Sequence, residues 1–244
     1  MGKVYEIDKN KTASLFVLGD IHGDLESLES LVSKAKADEK MISLGDYSDR
    51  GPNNIEVIDR IRDLQNRGKL IPLKGNHEDY NSNGEPQFSP CHLPSDVNQK
   101  RESWITYFRF QYQPFVKNLY LAAILPGELL FVHGGICNDI KSIKNIEEQE
   151  KFILWADPSD SNGMGEDYRS GRPHFGPDVS KKVCESLGIK RIIRSHQPDL
   201  AENGPFKDHD GRVVTTSSTT YYKGKPFALR ISTEKPQEYK VIFA

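Results

Sequence analysis

The sequence predicts an α/β fold built from βαβ units, and three stretches carry that prediction. Each is a short apolar run that ends in a polar motif, and residues at helical spacing separate one from the next. Residues 15–18 run into Gly19-Asp20-Ile21-His22-Gly23-Asp24. Met41, Ile42 and Leu44 lead into Gly45-Asp46-Tyr47-Ser48-Asp49-Arg50-Gly51. Residues 69–73 lead into Gly75-Asn76-His77-Glu78.

The intervening helices follow from periodicity. Leu25, Leu28, Leu31, Val32 and Ala35 recur at helical spacing, predicting a helix over 24–37 with Asp24 as its N-cap. Pro52-Asn53-Asn54 opens a second helix with Ile55, Ile58, Ile61 and Leu64 on one face. Gly68 closes it in the left-handed position that glycine favours. Such units imply parallel strands whose C-terminal ends, with their motifs, lie on one edge of a sheet.

The remaining chain is read in the same way. Residues 81–100 are rich in Pro, Ser and Asn without a clear period, so a functional, substrate-facing loop is expected there. Residues 104–116 are aromatic and predicted helical up to Pro114. Residues 121–125 and 128–132 flank Pro126-Gly127 as a hairpin whose second strand ends at His133-Gly134-Gly135. Residues 159–174 form a polar stretch holding Arg169 and Arg172. A helix over 179–187 ends at Gly188, and a strand over 191–194 precedes Ser195-His196-Gln197. Short strands are expected around Val213, 227–231 and 239–243. No repeat and no linker divides the chain.

Composition narrows the function classes. The chain has 244 residues, 36% hydrophobic and 28% charged, enough for a sizeable core. A net charge of −2 argues against a general nucleic-acid partner. No apolar run approaches a membrane span, and the first fifteen residues lack the apolar core of a secretory signal. Cys91, Cys137 and Cys184 are odd in number and widely spaced. They read as free thiols in a reducing, cytoplasmic setting, not as a disulfide framework or zinc cluster.

Five strand ends therefore carry Asp20/His22, Asp46/Asp49, Asn76/His77, His133 and His196. A strand closing in a polar turn uses Asp and Gly too, and a single strand-end histidine is commonly a hydrogen-bonded structural residue. What sets these apart is one shared position and one chemistry. Asp, Asn and His without thiolates suit manganese, iron or zinc, and two such ions need a bridging carboxylate, for which Asp46 is the natural candidate. His92, His174 and His209 lie in polar loops and are expected to be solvated.

In order and spacing these stretches resemble the phosphoprotein phosphatases, metal-dependent serine/threonine phosphatases with the pattern GDxHG, GDxxDRG, GNHE, HGG and a later GHQ-like motif. This chain reads GDIHG at 19–23, GDYSDRG at 45–51, GNHE at 75–78, HGG at 133–135 and SHQ at 195–197. The likeness extends to LAAIL ahead of FVHGG and to LWADP at 154–158, and covers most of the chain. It implies a metallophosphatase (calcineurin-like) fold, a central β-sandwich of mixed sheets flanked by helices, in one catalytic domain over 1–244. It implies that Asp20 and His22 hold a first metal, that Asp46 bridges, and that Asn76, His133 and His196 hold a second. His77 matches the general acid, with Asp49 orienting it and raising its pKa. Arg50 and Arg169 match the phosphate clamp, with Arg172 the competing choice, and Asn76 is also expected at the substrate. Tyr222 matches a tyrosine of the loop overhanging the site.

The implied activity is hydrolysis of phosphomonoesters, foremost phosphoserine and phosphothreonine in proteins, by metal-activated water with no covalent phosphoenzyme. Two divalent ions are implied, manganese first and iron or zinc as alternatives. A dinucleoside tetraphosphate hydrolase shares the early motifs and is the rival enzyme. A non-catalytic binding module of the same fold is the rival from another class; it would be expected to have lost ligands, and all six positions are filled here. Two departures stand out. Ser195 replaces a usual Gly or Ala, and Lys223 stands where the family has a cysteine that traps cyclic toxins. The modest length resembles a compact prokaryotic or archaeal-type member and argues against eukaryotic-type regulatory-subunit grooves.

Overall fold

A computed structural model describes residues 3–244. Residues 15–18 show how its layers arise. Leu15 and Val17 join one apolar cluster, Phe16 and Leu18 another, and all four are fully buried. Successive side chains of a strand point to opposite faces, so this strand lies between two apolar layers.

The strands are β1 Lys3–Glu6, β2 Ser14–Leu18, β3 Lys40–Ser43, β4 Leu70–Pro72, β5 Tyr120–Leu125, β6 Leu129–Phe131 and β7 Asp157–Pro158. They continue with β8 Met164–Glu166, β9 Pro173–Phe175, β10 Arg191–Arg194, β11 Phe206–Asp208, β12 Val213–Thr215, β13 Phe227–Ser232 and β14 Tyr239–Phe243. The helices are α1 Leu25–Lys34, α2 Asn54–Asn66, α3 Leu93–Lys100, α4 Trp104–Tyr107, α5 Gln113–Lys117, α6 Ile143–Glu148, α7 Glu150–Trp155 and α8 Pro177–Leu187.

Two mixed sheets stack face to face. One has the order β1-β5-β6-β10-β12-β11 and the other β14-β13-β2-β3-β4. Between them lie Val17, Ile42 and Ile71 from one sheet and Ala123, Phe131, Ile193 and Val214 from the other. The outer face of the five-stranded sheet packs Phe16 and Met41 against Leu28, Ile58 and Ile61 of α1 and α2. The outer face of the six-stranded sheet packs Leu130 and Ile192 against Ile153, Val179 and Val183 of α7 and α8. The result is the predicted β-sandwich of mixed sheets between helical layers.

Local expectations hold where sequence alone decides them. Asp24 caps α1, its side chain accepting from the Ser27 N–H at 3.1 Å. Gly68 follows α2 at φ +66°. The 121–132 hairpin forms between β5 and β6.

Several expectations are corrected. The helix predicted over 24–37 stops at Lys34, because Ala35 turns extended. Residues 81–100 are not all loop: α3 forms at their end, with only Leu93 and Val97 buried, too few positions to display a period. The aromatic helix runs past Pro114 to Lys117. A wide turn over Phe108–Tyr112, in which Gln113 N–H reaches Phe108 O, accommodates the proline's missing donor. The polar stretch 159–174 contributes β8 and β9 to a small sheet with β7. His209 is buried, not solvated. Its ring nitrogens lie 3.0 Å from both Ser180 Oγ and Ser159 O, tying α8 to the segment after β7. Finally, the motifs sit at the ends of strands from two sheets, not along one edge of one sheet.

Phe131 is fully buried between the sheets. Phe131→Ala should cost about 3–5 kcal/mol of stability, read as a lower midpoint in urea denaturation. A midpoint unchanged from wild type would contradict this packing.

Candidate active site

The parallel strands β2, β3 and β4 of one sheet end at Asp20/His22, Asp46/Asp49 and Asn76/His77. The parallel pair β6 and β10 of the other ends at His133 and His196. Stacking the sheets brings these ends together. The turns are unusual: His22, Asp46, Asp49, Arg50 and His196 all have φ between 48° and 73°. Non-glycine residues held there cost about 1–3 kcal/mol each and persist only where their surroundings over-determine them.

Hydrogen bonds fix which ring nitrogens face inward. His133 Nδ1 donates to the Leu44 carbonyl at 2.8 Å, which leaves a lone pair on Nε2. That Nε2 lies 2.9 Å from Asn76 Oδ1 and 3.1 Å from His196 Nδ1, and the last two atoms are 2.8 Å apart. His22 Nδ1 likewise donates to Ser48 O at 2.9 Å, and its Nε2 lies 3.6 Å from Asp46 Oδ2. Asp46 Oδ1 lies 3.4 Å from His133 Nε2, so one carboxylate faces both groups. Donor atoms of His22, Asp46 and His77 lie within 4.8 Å of one another, as do those of Asp46, His133 and His196.

This arrangement fits divalent cations. Nitrogen and oxygen atoms able to ligate a metal converge on common points. Asp20 Oδ2 and His196 Nε2 are buried without a hydrogen-bond partner among the described residues. Burial pushes the Asp20 carboxyl up to about 6 and the His22 imidazole down to about 3. Burial and then the Asp20 charge raise Asp46 well above the carboxylate range. Burial also drives His133 and His196 well below theirs. A bound cation would invert the preference of the carboxylates, which it favours in ionised form, and would reinforce that of the imidazoles, which it favours neutral.

His77 sits at the boundary. Its backbone N–H donates to Asp46 Oδ1 at 2.9 Å and its Nδ1 to Asp49 Oδ2 at 2.7 Å, leaving Nε2 free. Burial outweighs the favourable Asp49 contact and lowers its pKa, opposite in direction to the expectation from the pair alone. Burial would raise Asp49, but the His77 contact and the His92 and Leu93 N–H groups hold it below the usual range.

Arg50 is exposed and its Nε donates to Tyr222 Oη at 3.1 Å. The Tyr222 ring lies 5.4 Å from the His22 ring. Arg169 stands apart: it is exposed, and its guanidinium lies over the neighbouring Tyr168 ring. Arg172 instead lies 5.6 Å from the Trp155 ring centroid and 3.8 Å from Asp157, and Trp155 meets the His196 ring edge-on. Lys223 has φ +64° in the same overhanging loop as Tyr222.

Supporting residues went unassigned in the sequence. Glu78, fully buried, accepts N–H groups from Gly75, Asp46 and Tyr47 at 2.9–3.0 Å and so joins two turns. Only glycine fits at 75, where a Cβ would strike Asp46. Ser195 Oγ accepts the Asp20 N–H at 2.7 Å and donates to Thr216 O, giving that replacement a structural task. Arg194 is fully buried, bonded to Gly134 O and 2.8 Å from Asp157 behind His196. The Glu of GNHE was visible as a motif letter; the partners of Ser195 and Arg194 carry no local signal.

The model of the calcineurin-like phosphoesterase family matches residues 13–200. The chain belongs to that family. The phosphoesterase motifs thus agree with the fold, and membership implies divalent metal ions. Two curated relatives carry phosphatase names. Serine/threonine-protein phosphatase C23G10.1 of Caenorhabditis elegans is 26% identical over 90% of this chain and 51% of its own length. Serine/threonine-protein phosphatase T of Schizosaccharomyces pombe is 30% identical over 86% of this chain and 46% of its own. The chain spans about half the length of these relatives. A solved serine/threonine phosphatase from Saccharomyces cerevisiae, described as similar to human PP5, superposes with a TM-score of 0.77 at 21% identity. It covers 100% of this chain and 82% of that one. No helix among the described residues is long and apolar enough to cross a membrane.

Glu78→Ala leaves three buried N–H groups unpaired, each costing about 1–3 kcal/mol. Stability should fall and affinity for added manganese should weaken, because Asp46 loses its anchor. Calorimetric titration of the variant with manganese checks this; wild-type affinity would remove Glu78 from the site.

Proposed function

We propose that this protein is a dinuclear metal-dependent phosphomonoester hydrolase acting foremost on phosphoserine and phosphothreonine in proteins. The observation that carries the proposal is the position of Asp46, whose two oxygens face His22 on one side and His133 on the other. When bound, two divalent cations there supply Lewis acidity, water of lowered pKa and a clamp on the oxygens of an in-line displacement. Asp20 and His22 would hold the first, Asp46 would serve both, and Asn76, His133 and His196 would hold the second. Manganese comes first, with iron or zinc as alternatives, because the donors are oxygen and imidazole without thiolate.

The chain's own groups do the rest. In its protonated form, which burial disfavours and Asp49 favours, His77 keeps Nδ1–H on Asp49 and offers Nε2–H to the departing alkoxide. Arg50, steadied by Tyr222, binds phosphate oxygens and neutralises charge there. Arg172 takes the second place in that clamp instead of Arg169. Its support is proximity to Trp155 and thereby to His196. The names of the relatives and the net charge of −2 support a phosphoprotein substrate over a nucleic acid. The whole chain is taken as one catalytic domain. Three cysteines without disulfides support a cytoplasmic place.

Three measurements test this. Purified protein should hydrolyse phosphopeptides, lose activity on exhaustive chelation and regain it with manganese. Preference for dinucleoside tetraphosphates, or inactivity with every phosphate ester despite bound metal, would favour one of the rivals. Arg172→Ala should weaken inorganic phosphate binding with metal content intact, while Arg169→Ala should not; the reverse pattern would restore Arg169. His77→Asn should retain both metals and slow alkyl phosphates by roughly 10²–10⁴, with a smaller loss on aryl phosphates, which are better leaving groups. An emptied metal site, which the nearness of His77 to His22 and Asp46 makes the chief alternative, would turn His77 into a ligand.

A further inference from the structure

We propose that Asn54 and Asp96 form a positioning relay that aims the Asp49–His77 pair at the leaving group, an inference that rests on the general-acid role given to His77. Asn54 is the first residue of α2 and is fully buried. Its Oδ1 accepts the Asp49 N–H at 2.7 Å, and its Nδ2 donates to Asp96 Oδ2 at 2.5 Å. A main-chain donor on one side and a carboxylate on the other permit only one orientation of the amide. Asn54 therefore transmits position from α3 to the turn that carries Asp49.

That turn needs holding. Asp49 has φ +71° and Arg50 has φ +73°, a conformation that relaxes unless hydrogen bonds maintain it. Helix α3 grips Asp49 from two directions. The His92 and Leu93 N–H groups at its start donate to Asp49 Oδ1 at 2.5 and 3.1 Å, while Asp96 works through Asn54 on the backbone. The remaining oxygen, Oδ2, is left for His77 Nδ1 at 2.7 Å. Among the described residues no Lys, Arg or His lies within ion-pair distance of Asp96. Its charge is spent on the Asn54 amide, which it polarises and so strengthens as an anchor. Neither Asn54 nor Asp96 hydrogen-bonds a proposed metal ligand through its side chain, so the relay acts on proton delivery and not on metal holding.

A merely structural role for Asp96, docking α3 onto α2, predicts something different. It would lower stability and reduce turnover of every substrate alike. A positioning role predicts a loss that depends on the leaving group. Orientation errors on the order of 1 Å cost about 10²-fold when direct. One bond removed, the effect should be roughly tenfold.

The test uses the manganese-loaded full chain with one alkyl and one aryl phosphate. Asp96→Ala should lower kcat about tenfold on the alkyl ester and much less on the aryl ester, with KM and metal content unchanged. Asp96→Asn keeps an acceptor oxygen and should recover most of that loss. Asn54→Asp keeps the acceptor for Asp49 but sets two carboxylates face to face, and should reproduce the leaving-group dependence even if Asp96→Ala fails to fold. In a background of Asp49→Asn, Asp96→Ala should add little, because both act through one pair. Equal losses on both esters, a raised KM, lost metal, unchanged kcat or full additivity with Asp49→Asn would each overturn the relay. If His77→Asn itself slows both esters equally, the general-acid reading is what fails. If His77→Asn discriminates between them and the Asp96 and Asn54 variants do not, only the relay falls.

Discussion

The structure depends on lone pairs forced to face one another. His133 and His22 each give a ring N–H to a main-chain carbonyl, which turns the other nitrogen inward as an acceptor. Asn76 and Asp46 add acceptor oxygens to the same space, and His196 Nδ1 adds a nitrogen able to ligate a metal. Left alone this would be unfavourable, since buried polar atoms need partners and buried like charges repel. A dication resolves the conflict, and the site is arranged around that requirement. Fixing ring orientation through the second nitrogen is the usual way a protein commits an imidazole to a metal.

Support for such a site must be stiff. The five left-handed non-glycine residues in the strand-end motifs, His22, Asp46, Asp49, Arg50 and His196, store strain that the loops alone could not hold. Glu78 answers for one part of it by gathering three N–H groups from two separate turns. Burial raises Glu78 to about 7, against those same hydrogen bonds that favour its charged form. Ser195 ties Asp20 to the strand end that carries His196, and Asp24, having capped α1, also accepts from Thr220 and so anchors the loop bearing Tyr222. Behind His196 the Arg194–Asp157 pair is satisfied on several sides, as a buried ion pair must be.

The same rigidity separates roles among neighbours in sequence. Asn76 and His77 are adjacent, yet Asn76 joins the His133–His196 group while His77 turns toward Asp49 and Phe88. Asp46 and Asp49 lie in one turn, but the His77 contact and then the N–H groups at the start of α3 favour the ionised form of Asp49 against its burial, while burial beside Asp20 opposes ionisation of Asp46 in the absence of cation. Two carboxylates of one short motif are thus made chemically different by what packs around them.

The sequence by itself determined the elements whose signals are local. Period and capping marked α1 and α2, apolar runs marked β2, β3 and β10, and the polar residues at those strand ends identified the family and the candidate ligands. Tertiary structure alone decided what lies across the sheets. That the motifs come from two sheets, that His209 is a buried tie, and that Arg172 and not Arg169 leans toward the cluster depend on contacts between residues far apart in the chain. Helix α3 shows why. It exposes half of its residues, buries only Leu93 and Val97, and has a composition that reads as loop. Its significance comes from Asn54 and Asp49, more than forty positions away, and hydrogen bonds of that range leave no periodicity to read.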